Sequence, residues 1–366
     1  MNTNAQITNS QVSCLLGSLV PPENKFSAAN LEYDSDNVNF IKSYRYTVTT
    51  ASILSQLSLA AKSPLGSNKS FVLSGPYGTG KSHLLLQYMS LISGDNLDIL
   101  DNIVKELKKL PTTIEVATLL EALENKSLPR LLPVVVKSGL GSLRSAFSLS
   151  LQQALEEHNL GHLMPDIYGA EAAAVIERWQ SNFPETFNAF VQGLHPDDTV
   201  ANYLNRLRKL DPETWLDFNK RYQVLTSGSI FTPQNTAEPK ALYASVLTAL
   251  KNSPYQGITL IFDEFSKYLE TGAGHMAESE TKLLQDLAEY ASRTALGTTP
   301  VLNFILVTHK DISSYLNHLP KNLLDGWRGV AERFTALHMP QNLEQTSILL
   351  GEAKSSPYCW CNLVFL

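Results

Sequence analysis

The run Gly75-Pro76-Tyr77-Gly78-Thr79-Gly80-Lys81-Ser82 limits what this chain can fold into more than any other part of it. It spells G-x-x-x-x-G-K-S. A short apolar run, Phe71-Val72-Leu73, leads straight into it, and a helical pattern, His83-Leu84-Leu85-Leu86, follows. Strand, glycine-rich turn and helix in that order form the context in which this spacing wraps phosphates. Glycines let main-chain N–H groups turn inward with no side chain in the way, and the helix N-terminus behind them favours an anion. Lys81 adds positive charge toward the β and γ phosphates of a nucleotide, and the Ser82 hydroxyl suits a magnesium ion. Gly75 through His83 is therefore the expected binding segment. A turn that only joined strand to helix would leave Gly-Lys-Ser unexplained.

A second feature fits the first. Ile258 to Phe262 reads as the strongest buried strand of the chain, and it ends in Asp263-Glu264. Open α/β sheets bind ligands at the carboxyl ends of their strands. Asp263 is expected to hold magnesium with Ser82, and Glu264 to polarise an attacking water. Lys81 and Asp263 stand far apart along the chain, so a helical insertion, about 141–251, is expected between them. Its aromatic residues Trp179, Phe183, Phe187, Trp215 and Phe218 are expected to form a small core instead of an exposed docking surface.

Apolar periodicity places helices over Thr50 to Ala61, Leu97 to Leu110, Ile114 to Leu123, Ser142 to His158, Ala170 to Leu194, Thr199 to Leu210, Pro212 to Val224, Pro239 to Lys251 and Glu278 to Leu296. Leu131 to Val136 and Val301 to Val307 read as further strands. Strands separated by helices predict an α/β fold, a parallel sheet flanked by helices. The first 50 residues, rich in Asn and Ser, read as an arm. The apolar fraction is 43% and the formal net charge is −6. No stretch approaches the roughly 20 unbroken apolar residues of a membrane span, and the acidic balance gives no support for bulk attraction to DNA. The polar start, Met1 to Ser10, directs nothing out of the cytoplasm. Cys14, Cys359 and Cys361 are too few and too unevenly spaced for a disulfide framework or a zinc site.

With these residues in hand, the sequence resembles the AAA+ P-loop ATPases and is similar to the large ATPases of bacterial anti-phage defence systems of the BREX kind. Phe71 to His83, Leu260-Ile261-Phe262-Asp263-Glu264-Phe265 and Asn303-Phe304-Ile305-Leu306-Val307-Thr308-His309 carry the likeness. The resemblance implies ATP with Mg2+ as the cofactors and makes Thr308 the sensor of the γ phosphate, with His309 its rival. Ala331-Glu332-Arg333-Phe334 resembles an arginine-finger segment. That implies Arg333, with Arg328 second, reaching the nucleotide of a neighbouring copy in a self-associated state. Protein partners of a defence complex are implied as well.

The likeness spans about 51–350. The family continues into a helical lid, so the apolar tail 351–366 is read as a truncated lid. A slow regulatory nucleotide switch that binds a protein partner, and a DNA-stimulated motor, stay open as alternatives. No guanine-selecting Asn-Lys-x-Asp segment occurs.

Overall fold

A computed structural model describes residues 29–31, 33–136, 142–195, 198–209, 211–231, 238–272, 278–315 and 321–340. The expected tail 351–366, the three cysteines and most of the expected arm lie outside these residues. The compact body runs from Asn30 to Gln341.

Five parallel strands make its sheet, in the order β2-β3-β4-β1-β5. These are β1 (Ser70–Ser74), β2 (Leu132–Val135), β3 (Gly257–Phe262), β4 (Val301–Thr308) and β5 (Thr335–His338). All residues of β1, β3 and β4 are buried. Strands covered on both faces read as continuous apolar runs instead of alternating ones, which is why these three were legible. The edge strand β5 was not read from the sequence, because Thr-Ala-Leu-His is short and only Leu337 is buried. Register fixes the functional edge. Ser74 pairs with Thr308 and with His338, and Phe262 pairs with Leu306. The carboxyl ends of β1, β3, β4 and β5 therefore converge at one edge, with β4 between the glycine strand and the acid strand.

Helices flank the sheet, and several begin where the sequence provides a cap. Thr47, Asn96, Thr113, Ser142, Thr199 and Asp211 each accept a first-turn amide through the side chain. The expected single helix from Ala170 to Leu194 is instead two, Asp166–Asn182 and Pro184–Gln192. Pro184 disfavours helical geometry at Phe183 and starts the next helix at its first position. A helix over Phe265–Gly272, missed in the sequence, follows the acid pair directly.

Aromatic residues of the insertion are mostly buried, as expected, and share the core of the sheet. Trp179, Trp215 and Phe218 are buried in the same continuous apolar cluster as Val72, Phe262 and Phe304 of the sheet. Phe187 packs against that cluster in part, whereas Phe183 is 53% exposed. Residues 30–50, expected to belong to the arm, pack into the body. The short helix Val38–Lys42 buries Ile41, and Tyr44 and Tyr46 are buried behind it. No helix among the described residues is long and apolar enough to cross a membrane.

Candidate functional site

The chain leaves β1 through a turn whose glycines are required by geometry. A Cβ on Gly75 would meet the Met339 carbonyl oxygen at 2.4 Å, and Gly78 and Gly80 have φ of +76° and +85°. Any larger residue would clash at the first position or be strained at the other two. Gly80 then caps the helix Lys81–Ser93, which has no side-chain cap. Its first amides open onto the loop as free donors at the positive end of a helix. Thr79 Oγ1 donates to the Pro76 carbonyl at 2.9 Å, which closes the turn on itself.

Lys81 is buried, and its Nζ donates to the carbonyl oxygens of Gly75 and, at 2.9 Å, Pro76. Burial lowers its pKa, opposed by the charge of Asp263. Asp263 lies near the Ser82 side chain. Burial raises the pKa of Asp263, against the pull of Ser82, of the Glu264 N–H and of Lys81. Packing of β3 one strand away from β1 thus brings together three groups from distant parts of the sequence. A hydroxyl and a carboxylate in contact are the donor set magnesium uses when it keeps most of its ligands as water and phosphate oxygen. Among the described residues no group of three or more His, Cys, Asp or Glu side chains stands ready to hold a metal.

Glu264 sits at φ +57°, a left-handed conformation unusual for a glutamate. Its half-exposed carboxylate pairs with Lys267 Nζ at 2.7 Å, one helical turn on. The i,i+3 spacing was present in the sequence, but the helix that makes it meaningful was not recognised. Thr308 ends β4 with its Oγ1 buried and without a partner, and its carbonyl accepts the Gly75 N–H at 3.2 Å. His309 follows, stacked on Tyr77 of the loop with 3.4 Å between ring centroids.

Two expected site residues are engaged elsewhere. The His83 ring stacks on Phe40 at 4.3 Å and approaches the Phe40 carbonyl oxygen at 2.8 Å through Nε2. It therefore anchors the Val38–Lys42 helix. Arg333 donates to the Gly329 carbonyl of its own helix at 2.8 Å. It stands just before β5, where Thr335 pairs with Phe71, at the opposite end of the sheet from the loop. Arg328 is exposed and pairs with Asp325 at 3.5 Å. Neither arginine is brought to the loop of its own chain.

Sequence reasoning missed several neighbours. Ser74 Oγ lies 3.2 Å from both Asp311 Oδ1 and His338 Nδ1, which ties the ends of β1, β4 and β5 together. Tyr44 reaches to within 3.7 Å of where a Gly80 Cβ would be. No local pattern marks these residues, because each lies far along the chain from the group it meets. A cavity of about 690 Å3 lies elsewhere. Leu31, Met89, Ile99, Pro133, Gln153 and His158 line it in part, and no residue of the loop or the acid pair does. Comparison with protein-family models, with curated proteins and with solved structures finds no match.

Proposed function

We propose that the chain binds ATP at Gly75–Ser82 and hydrolyses its terminal phosphoryl bond, as the resemblance to AAA+ ATPases implies. The observation that carries this reading is the approach of Ser82 to Asp263, two residues 181 positions apart along the chain, beside buried Lys81. Distant segments supply a cation, a hydroxyl and a carboxylate at the mouth of an uncapped helix, which is an arrangement suited to a polyphosphate with its metal.

In this reading the loop amides and Lys81 bind the β and γ phosphates, and Lys81 exchanges its contacts with Gly75 and Pro76 for phosphate oxygens. Ser82 and Asp263 hold Mg2+, which when bound neutralises charge on the phosphate oxygens. Glu264 leaves Lys267 to orient the attacking water, and Thr308 or His309 contacts the terminal phosphate. Arg333 acts on the site of a neighbouring copy, since it lies too far from its own loop. Positioning and charge stabilisation supply the catalysis, as phosphoryl transfer requires.

The Glu264–Lys267 pair also favours a second reading, a slow nucleotide switch, because a carboxylate held by lysine is withdrawn from water activation until something releases it. Single-turnover hydrolysis with and without self-association separates the two.

The binding claim is tested by calorimetry with Mg-ATP on the full chain and on Lys81→Ala. The unaltered chain should release heat, and the variant should bind at least about tenfold more weakly, since a charge-assisted contact is worth roughly 1.5–3 kcal/mol. Equal affinity would remove Lys81 from the site.

A further inference from the structure

The sheet stops at β2, and the side of that strand turned away from β3 is open. Parallel pairing of Val135 with Ile261 leaves Val134 and Val136 bonded to β3, the Val136 N–H donating to the Ile261 carbonyl at 2.7 Å. Successive residues of a strand turn their main-chain groups to opposite sides. The Pro133 carbonyl and both main-chain groups of Val135 therefore point outward, and none of the three meets a partner among the described residues. Only the start of this edge is closed, where the Leu131 N–H donates to the Ile92 carbonyl at 3.0 Å.

The cavity of about 690 Å3 runs along this open edge, with Pro133 and Val135 in its lining. It is of the size that holds a bound molecule. Two helices wall it. Leu86, Met89, Ser90 and Ser93 line it from the loop helix, Lys81–Ser93. Ser150, Gln153, Ala154 and Glu157 line it from the helix Leu143–Glu157. Each set falls at i, i+3, i+4 and i+7, one whole helix face. The depth is apolar, with Leu86, Met89 and Ala154 buried. The rim is acidic: Asp36, Asp95 and Glu157 line the cavity, and no lysine or arginine does. Arg130 reaches only Asp95. In a chain of net charge −6, such a rim selects a cationic occupant.

We propose that this cavity docks an extended, basic peptide segment of a partner protein, which adds beside β2 as a sixth strand. Main-chain groups at strand spacing give such an addition its affinity, and pockets for alternate side chains give it selectivity. Apolar residues of the segment enter between the two helices, and its lysines or arginines meet Asp36 and Glu157. A second copy of this chain does not fit, because its own β2 edge lies behind the same two helix walls. Pro133 acts in the same direction: without an N–H it weakens pairing with another sheet, while its carbonyl still accepts. The site is independent of whether the glycine loop holds a nucleotide.

The test uses the full chain and a dye-labelled peptide of about seven residues alternating Val and Lys, capped at both ends. Fluorescence anisotropy should show saturable binding, and an alternating Val and Glu peptide of the same length should not bind. Asp36 and Glu157 are exposed, so a double variant, Asp36→Lys with Glu157→Lys, keeps the core intact. It should bind the basic peptide about tenfold more weakly. Hydrogen exchange reads the strand itself: at saturation the Val135 amide should slow by about tenfold or more. Absence of saturable binding, or equal binding of the acidic peptide, overturns the proposal. Binding that leaves Val135 exchange unchanged overturns it too, as does displacement of the peptide by spermidine, a cation with no main chain, at matched charge. Failure of Mg-ATP to bind alters none of these outcomes, so the two readings stand or fall separately.

Discussion

Glu264 holds a backbone conformation that costs a non-glycine residue about 1–2 kcal/mol. At ordinary positions alanine is more stable than glycine by about 0.4–1 kcal/mol. Here the order should invert. Glu264→Gly and Glu264→Ala both lose the carboxylate and the Lys267 pair, so their difference reports the backbone alone. Urea unfolding should find the glycine variant more stable by about 1 kcal/mol, with neither variant hydrolysing ATP; an alanine variant that is the more stable would show that no strain is stored. Asp263 offers a related test. Its folded pKa is raised, so the folded chain holds a proton that the unfolded chain releases, and stability rises as pH falls through the window between the raised value and the ordinary 3.8. Above that window the ionised carboxylate is a liability in the empty protein. Asp263→Asn keeps an acceptor for Ser82 and should raise the urea midpoint near neutral pH, with the gain fading as pH falls through that window and absent below 3.8. An unchanged midpoint would mean that Ser82 and Lys81 fully offset the burial.

At the scale of elements, the loop helix is held from behind by a segment that carries little local signal in the sequence. Phe40 stacks on His83, Tyr46 OH donates to Gln87 Oε1 at 3.0 Å, and the Gln87 amide donates to the Ile41 carbonyl. Ile41 is fully buried. Ile41→Ala should release this segment locally, lowering the opening free energy of amides in 38–46 by about 2 kcal/mol or more in hydrogen exchange. Amides of β3 should keep their protection. Because Tyr44 approaches Gly80, nucleotide affinity should fall with it; unchanged affinity in a variant whose segment has opened would separate the clamp from the loop.

At the scale of the molecule, insertion and sheet share one apolar cluster, so the body should unfold as one cooperative unit. Trp215 is 1% exposed and belongs to that cluster. Trp215→Ala should cost about 3–5 kcal/mol and lower a single transition seen alike by tryptophan fluorescence and by β3 amide exchange. An earlier, separate transition of the insertion would show that the common core does not couple them. Much of this architecture was legible in advance where the signal is local. Phe71-Val72-Leu73, Ile258 to Phe262 and Val301 to Val307 had to be buried strands, and glycine spacing before Lys81 had to be a turn into a helix. The approach of Ser82 to Asp263 could only be inferred, since it depends on β1 and β3 lying on either side of β4 in the sheet. The position of Arg333 at the far end of β5, the turning of His83 toward Phe40 and the stacking of Tyr77 on His309 were decided by packing alone. Periodicity and turn chemistry act between neighbours along the chain, so the sequence writes them openly. Contacts across a folded core depend on which surfaces meet, and this is settled only when all of them compete for the same interior.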